Sequence, residues 1–169
     1  MITRALTLAA GLSGAAGFSQ FPEFSQQYAQ RLGGAVDELH QFVVDFDADA
    51  ALVGVTRDVA LAQLAEGGAI GAARAETMQM TITRYERLSS ARDALQDAGP
   101  FMRAYHSAKI NDPEIVQAAW AEFKPAVPLS FEGAVFAVSG FFAAFIVGYA
   151  VLGCLRLLFR RRKAANRTA

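Results

Sequence analysis

His40 and His106, the only histidines, stand 66 residues apart, and neither falls in a ligand spacing such as HExxH, where two imidazoles share one helix face. Asp37, Glu38 and His40 would bring two carboxylates and one imidazole within a single helical turn. A metal site built on His40 with these carboxylates is therefore the chemical alternative the residues allow, although a solvated helix face accounts for the same three more simply. Asp45, Asp47 and Asp49 alternate like the start of a calcium loop, but Ala50 and Thr56 stand where that loop needs its glycine and its closing glutamate. The stretch GGAIGAARAE, Gly67 to Glu76, lacks the lysine and the preceding strand of a phosphate-binding loop. No GxSxG elbow occurs, and Cys154, the one thiol, excludes an intrachain disulfide and a cysteine metal cluster. These residue types lead us to expect a protein that is not an enzyme and carries no cofactor or catalytic residue.

The elements that would position such residues are more legible. The chain has 169 residues, 53% of them hydrophobic, with Lys/Arg and Asp/Glu equal at 16 each. That balance is unevenly spread. Arg156, Arg160, Arg161, Arg162, Lys163 and Arg167 crowd the last fourteen residues without an acid, while Gln20 to Pro128 holds nine basic and fifteen acidic residues, a net of −6. An acidic middle carries no footprint for nucleic acid. GAVFAVSGFFAAFIVGYAVLGCL, Gly133 to Leu155, is an uncharged run of 23 residues, the length a helix needs to cross a hydrocarbon core of about 30 Å. Ser130 supplies an N-cap and Glu132 an acid in the first turn. The basic run RLLFRRRK after it belongs on the cytoplasmic side.

MITRALTLAAGLSGAAGF begins with Arg4 and continues as a mild apolar run from Ala5 to Phe18, only 14 residues long. It reads either as an uncleaved membrane anchor or as a cleaved signal segment. Gly11, Gly14 and Gly17 form a small face suited to close helix packing, as do Gly140, Ala144 and Gly148 in the C-terminal span; the natural partners are these two segments, or two copies of the second.

Between them the chain reads as helical. Tyr28, Leu32, Ala35, Leu39, Phe42 and Phe46 follow a 4-3-4-3-4 spacing, a heptad seam over a helix from Pro22 to about Leu52. Thr56 caps a short helix that Gly67 and Gly68 stop. A second long helix, about Ala69 to Ala98, carries the stripe Met78, Ile82, Tyr85, Leu88 and Leu95. An antiparallel hairpin is the simplest arrangement of the two. Asn111 or Asp112 caps a last helix with Pro113 at its first position and Ile115, Val116, Ala119, Trp120 and Phe123 on one face. Trp120 close to the membrane helix suits an interfacial anchor or core packing, and Arg160, Arg161, Arg162 and Lys163 mark the opposite membrane boundary. Gly33 and Gly34 interrupt the first long helix at a cost of about 1 kcal/mol each relative to alanine. With Gln27 and Arg31 they are candidates for protein contact, either a close backbone or a tolerated soft spot.

The block FPEFSQQYAQRLGGAVDEL, Phe21 to Leu39, resembles the hallmark of a family of small proteobacterial membrane proteins of unknown function. The resemblance implies two membrane segments around a helical middle over most of the chain, and no reaction. The expected architecture is all-α: a membrane anchor or signal-like segment over 1–19, an extracytoplasmic helical hairpin over 20–128, a transmembrane helix over 129–156 and a basic cytoplasmic tail over 157–169. The expected location is a bacterial inner membrane, both termini cytoplasmic and the middle periplasmic. The expected role is structural or accessory, with the lipid bilayer and either further copies of the chain or a larger membrane complex as partners.

Overall fold

A computed structural model describes residues 2–125, 127 and 129–165. Every regular element among them is a helix: α1 (Ile2–Phe18), α2 (Phe21–Leu52), α3 (Arg57–Ala65), α4 (Gly68–Leu95), α5 (Pro100–Tyr105), a 3-10 turn (Ser107–Lys109), α6 (Pro113–Glu122) and α7 (Phe131–Ala165). The caps follow local chemistry. Thr56 accepts a hydrogen bond from the Val59 amide at the start of α3, and Asp112 accepts one from the Ile115 amide at the start of α6, with Pro113 immediately after it. Ser130 Oγ accepts from the Gly133 amide at 3.0 Å at the head of α7. Gly54 and Gly68 adopt φ of +75° and +78°, the left-handed turns that release α2 into α3 and α3 into α4.

The chain divides into two compact units, Met1–Phe24 with Lys124–Ala169, and Ser25–Phe123. In the first, α1 runs antiparallel to α7: Phe21 meets Phe136 with ring centroids 5.2 Å apart, and the Arg156 guanidinium donates to Thr3 Oγ1. Among the described residues one segment, Phe131–Arg156, with 26 residues, is long and apolar enough to cross a membrane. Helix α1, with 17 residues, reaches about 25 Å at roughly 1.5 Å per residue, short of a core of about 30 Å.

In the second unit α2 and α4 run antiparallel, tied by Asp37 to Arg92 at 2.6 Å and by His40 stacked on Tyr85 at 5.5 Å. The core is Tyr28, Leu32, Val36, Val43 and Ala50 from α2, Ala75, Ile82, Leu88, Ala91 and Leu95 from α4, and Ile115 and Ala119 from α6. This departs from the expected seam. Tyr28 and Leu32 are on it, but beyond them the buried stripe passes to Val36, Val43 and Ala50, about 65° around the helix from Leu39, Phe42 and Phe46 at roughly 100° per residue. Valine and alanine at those three positions admit a neighbouring helix more closely than two phenylalanines would. Phe42 is left 56% exposed. On α4, Ile82, Leu88 and Leu95 are buried as the stripe required, while Met78 and Tyr85 lie half-buried at its margin.

Candidate functional site

Three places bring together residues the sequence singles out. The first is the α1/α7 contact. A Cβ on Gly14 would lie 2.4 Å from the Ala144 Cβ and 2.4 Å from the Gly140 carbonyl oxygen; one on Gly140 would lie 2.5 Å from the Gly14 carbonyl oxygen and from the Phe18 Cβ. Two backbones touch here, and only glycine fits. Gly11 faces the Phe141 ring, where a Cβ would approach within 2.7 Å, and Gly148 faces the Ala10 Cβ at 3.2 Å. Gly17, on the expected small face, meets nothing within 4 Å. Five of the six small residues thus fall along the α1/α7 line and Gly17 does not. Phe141 stacks with Phe145 and meets Phe142 edge-on, at centroid separations of 5.9 and 5.5 Å. Outside this line the pair is apolar: Leu6, Leu8, Leu12, Val138, Phe142, Ile146, Val147 and Val151 are all at least half exposed.

The second place surrounds the first two turns of α6. Asp112 is 2% exposed and receives Arg87 Nη2 at 2.8 Å, Arg84 Nη2 at 3.3 Å and the Ile115 amide at 3.2 Å. Burial works to raise its pKa, but the hydrogen bonds from Arg87 and the Ile115 amide, with both guanidinium charges, prevail and hold the carboxyl below its ordinary range. Tyr28, fully buried, accepts from the Asp112 amide and donates to the Lys109 carbonyl, both at 3.4 Å. Burial pushes its hydroxyl above the ordinary tyrosine value. Arg84 also reaches Glu114 at 2.6 Å, and its Nε is buried without a partner among the described residues. Arg31 pairs with Glu122 at 2.5 Å and so ties α2 to the end of α6. Gln27 sits half-buried one residue before Tyr28.

Gly33 and Gly34 open into separate grooves, and a Cβ on either would meet nothing within 4 Å. Within this chain, therefore, no backbone, that of α6 included, packs against them. Gly34 lines a groove of about 500 Å³ with Arg31, Glu38, Phe42, Arg84 and Glu114. Gly33 lines one of about 410 Å³ with Gln26, Gln30, Arg92 and Arg103. His40, stacked on Tyr85, does not gather Asp37 and Glu38 around a cation: Asp37 is held by Arg92, and no group of three or more metal-ligating side chains forms among the described residues. Of the three alternating aspartates, Asp45 accepts from Gln41 at 2.7 Å and Asp47 receives both Nε and Nη2 of Arg57. The Arg57 hydrogen bonds hold the Asp47 carboxyl below its usual range and clamp the α2 to α3 turn.

The third place was not legible in advance. Gly71 is buried on α4, and a Cβ there would lie 2.4 Å from the Leu64 carbonyl oxygen. Helix α3 is thereby seated backbone-to-backbone against α4. The spacing Gly67-x-x-x-Gly71 was the available signal. Leu64, so fixed, closes a groove of about 400 Å³ otherwise lined by Leu39, Phe42, Phe46, Arg74, Thr77, Met78 and Thr81.

Trp120, 68% exposed and stacked on Phe123 at 5.7 Å, lies on the outside of α6, while Ile115 and Ala119 enter the core. Arg160, Arg161, Arg162 and Lys163 belong to the helical backbone of α7, and their side chains fall outside the described residues.

Residues 2–161 match a family model described as a protein of unknown function, DUF2937. No curated protein and no solved structure matches.

Proposed function

The chain belongs to the DUF2937 family, and on that premise we propose that it is an integral membrane protein of structural or accessory role. In this reading the α1/α7 pair is a two-helix membrane unit, and the hairpin of α2 and α4 presents grooves to a partner on the non-cytoplasmic side. The partner is a second copy of the chain or another membrane protein. The observation that carries the reading is the Gly14 to Gly140 backbone contact inside a helix pair whose outer surface is apolar. Such a pair leaves a large exposed apolar surface in water and none to spare in hydrocarbon. Helix α1 falls short of a full span by itself, and its docking to α7 supplies the lateral contact that keeps it in the bilayer. The ionisable side chains of the hairpin unit engage one another in ways that support a framework: Asp112 organises three elements, and Asp37, Asp47 and Glu122 each fasten a helix.

The test is extraction and native purification. The chain should resist release from membranes by alkaline carbonate, and in mild detergent it should migrate with a discrete partner or as a discrete oligomer identifiable by mass spectrometry. Release by carbonate would sink the membrane reading. A detergent-solubilised monomer that co-purifies with nothing would sink the accessory one.

A further inference from the structure

The groove closed by Leu64 differs from the other two in its chemistry. The grooves at Gly33 and Gly34 are lined by several charged groups, with both signs at Gly34. This one has a single ionisable lining residue, Arg74, among five large apolar side chains and two threonines. The threonines are already satisfied, since Thr77 donates to the Ala73 carbonyl and Thr81 to the Thr77 carbonyl, each at 2.9 Å. Arg74 forms no ion pair among the described residues, whereas Arg31, Arg57, Arg84, Arg87 and Arg92 all do. A volume of about 400 Å³ and an apolar lining with one convergent charge are the marks of a small-molecule site, which runs from roughly 300 to 1,000 Å³.

Its shape selects the ligand further. Leu39, Phe42 and Phe46 lie along one face of α2, and from the first to the last the helix rises about 10 Å at roughly 1.5 Å per residue, the length of an alkyl chain of about eight to ten carbons. Asp37 to Arg92 and His40 to Tyr85 fix the antiparallel register of α2 and α4, and that register puts Arg74 at the Phe46 end. A single tail with one negative head matches this order: apolar wall first, cation last. The Leu64 carbonyl lies against Gly71, so the backbone that carries this lining residue is seated before any ligand arrives. We propose that the groove between α2, α3 and α4 binds a single-chain anionic amphiphile, its carboxylate or phosphate on the Arg74 guanidinium and its alkyl chain along Leu39, Phe42, Phe46 and Met78. The site explains why Phe42 stays 56% exposed on a helix that buries smaller residues beside it. It goes beyond the accessory reading and does not depend on it, because every residue used belongs to the hairpin unit.

The experiment uses the full chain in phosphatidylcholine nanodiscs and a decanoate carrying a photoreactive diazirine on its chain. Labelling should fall on the peptides that contain Leu39 to Phe46 and Arg74 to Thr81. Unlabelled decanoate and decyl phosphate should both compete, which would leave the head group open between carboxylate and phosphate; competition by only one of them names it. Decanol should compete about tenfold less well, as expected for loss of one charge-assisted hydrogen bond, and decyltrimethylammonium should not compete. Arg74→Ala should lower labelling about tenfold and Arg74→Lys should restore much of it, with the circular dichroism spectrum unchanged because Arg74 is exposed and unpaired. Thr77→Trp, which fills the groove without touching the core, should abolish labelling. Labelling confined to α1 and α7, equal competition by decanol and decanoate, or indifference to both substitutions would overturn the proposal. Zero-length cross-links between copies of Phe42→Cys that decanoate does not displace would assign the groove to a second copy instead.

Discussion

Asp112 is the residue through which the hairpin unit closes. Its carboxylate caps α6, receives two arginines of α4, and its amide donates to Tyr28 of α2. Asp112→Ala removes the cap, worth about 1 kcal/mol, and leaves two guanidiniums facing a buried void. We expect a total loss of about 3 kcal/mol, read as a lowered midpoint in circular dichroism melts of the detergent-solubilised chain. Asp112→Asn keeps an oxygen for the cap and should cost less. The sign of the pH dependence follows from a carboxyl held below its ordinary value of about 3.9. Its contribution is fully present above that value and is lost as the pH falls through the lower value of the folded chain. Melting midpoints should therefore be flat from neutrality down to about pH 4 and fall below it, and the fall should be shallower in Asp112→Asn. An equal acid slope in both proteins would remove Asp112 as its source.

At the scale of elements, two sets of glycines make opposite predictions. Gly14 and Gly140 touch backbone to backbone, so Gly14→Leu must separate α1 from α7. Cysteines at Ala10 and Gly148, whose Cβ positions lie 3.2 Å apart, should oxidise to a disulfide in a Cys154→Ser background, and Gly14→Leu should abolish that bond. Gly17→Leu is the control, because nothing lies within 4 Å of it. Gly33 and Gly34 are helical and open. Alanine at either should raise stability by about 0.5 to 1 kcal/mol, visible in the same melts. A loss of stability or of oligomeric state on Gly34→Ala would instead reveal a close neighbour from another subunit.

The same elements show what can be read from a sequence and what cannot. Caps, turns and the long uncharged run are local: Thr56, Asp112 with Pro113, Ser130 and the Gly67-Gly68 stop depend on near neighbours, and each lies where its chemistry placed it. The buried face of α2 is not local. Two overlapping stripes, Ala35-Leu39-Phe42-Phe46 and Val36-Val43-Ala50, both fit helical spacing, and the choice between them rests on which face the other helices of the unit cover. The groove at Arg74 was invisible for the same reason, since its lining comes from three helices, one of them seated by a backbone contact at Gly71.

For the whole molecule, the proposed membrane reading makes a prediction about orientation, and charge supplies it. Six basic residues without an acid follow Leu155, and the stretch Gln20 to Pro128 carries a net of −6, so, on the proposed membrane reading, the rule that positive flanks stay inside predicts a cytoplasmic C-terminal end for α7. Helix α1 adds an independent constraint. Thr3 lies against Arg156 and Phe21 against Phe136, so if the pair is inserted as proposed, the start of α1 shares the side of the membrane on which α7 ends. We would place single cysteines at Ala5, Ser90 and Ala165 in a Cys154→Ser background and treat intact spheroplasts with a membrane-impermeant maleimide. Ser90→Cys should be modified at once, and Ala5→Cys and Ala165→Cys only after permeabilisation. Reversal of all three would leave the helix pairing intact and overturn the charge argument. Divergence between Ala5→Cys and Ala165→Cys would do the opposite, because an antiparallel pair cannot set those two ends on different sides of one bilayer.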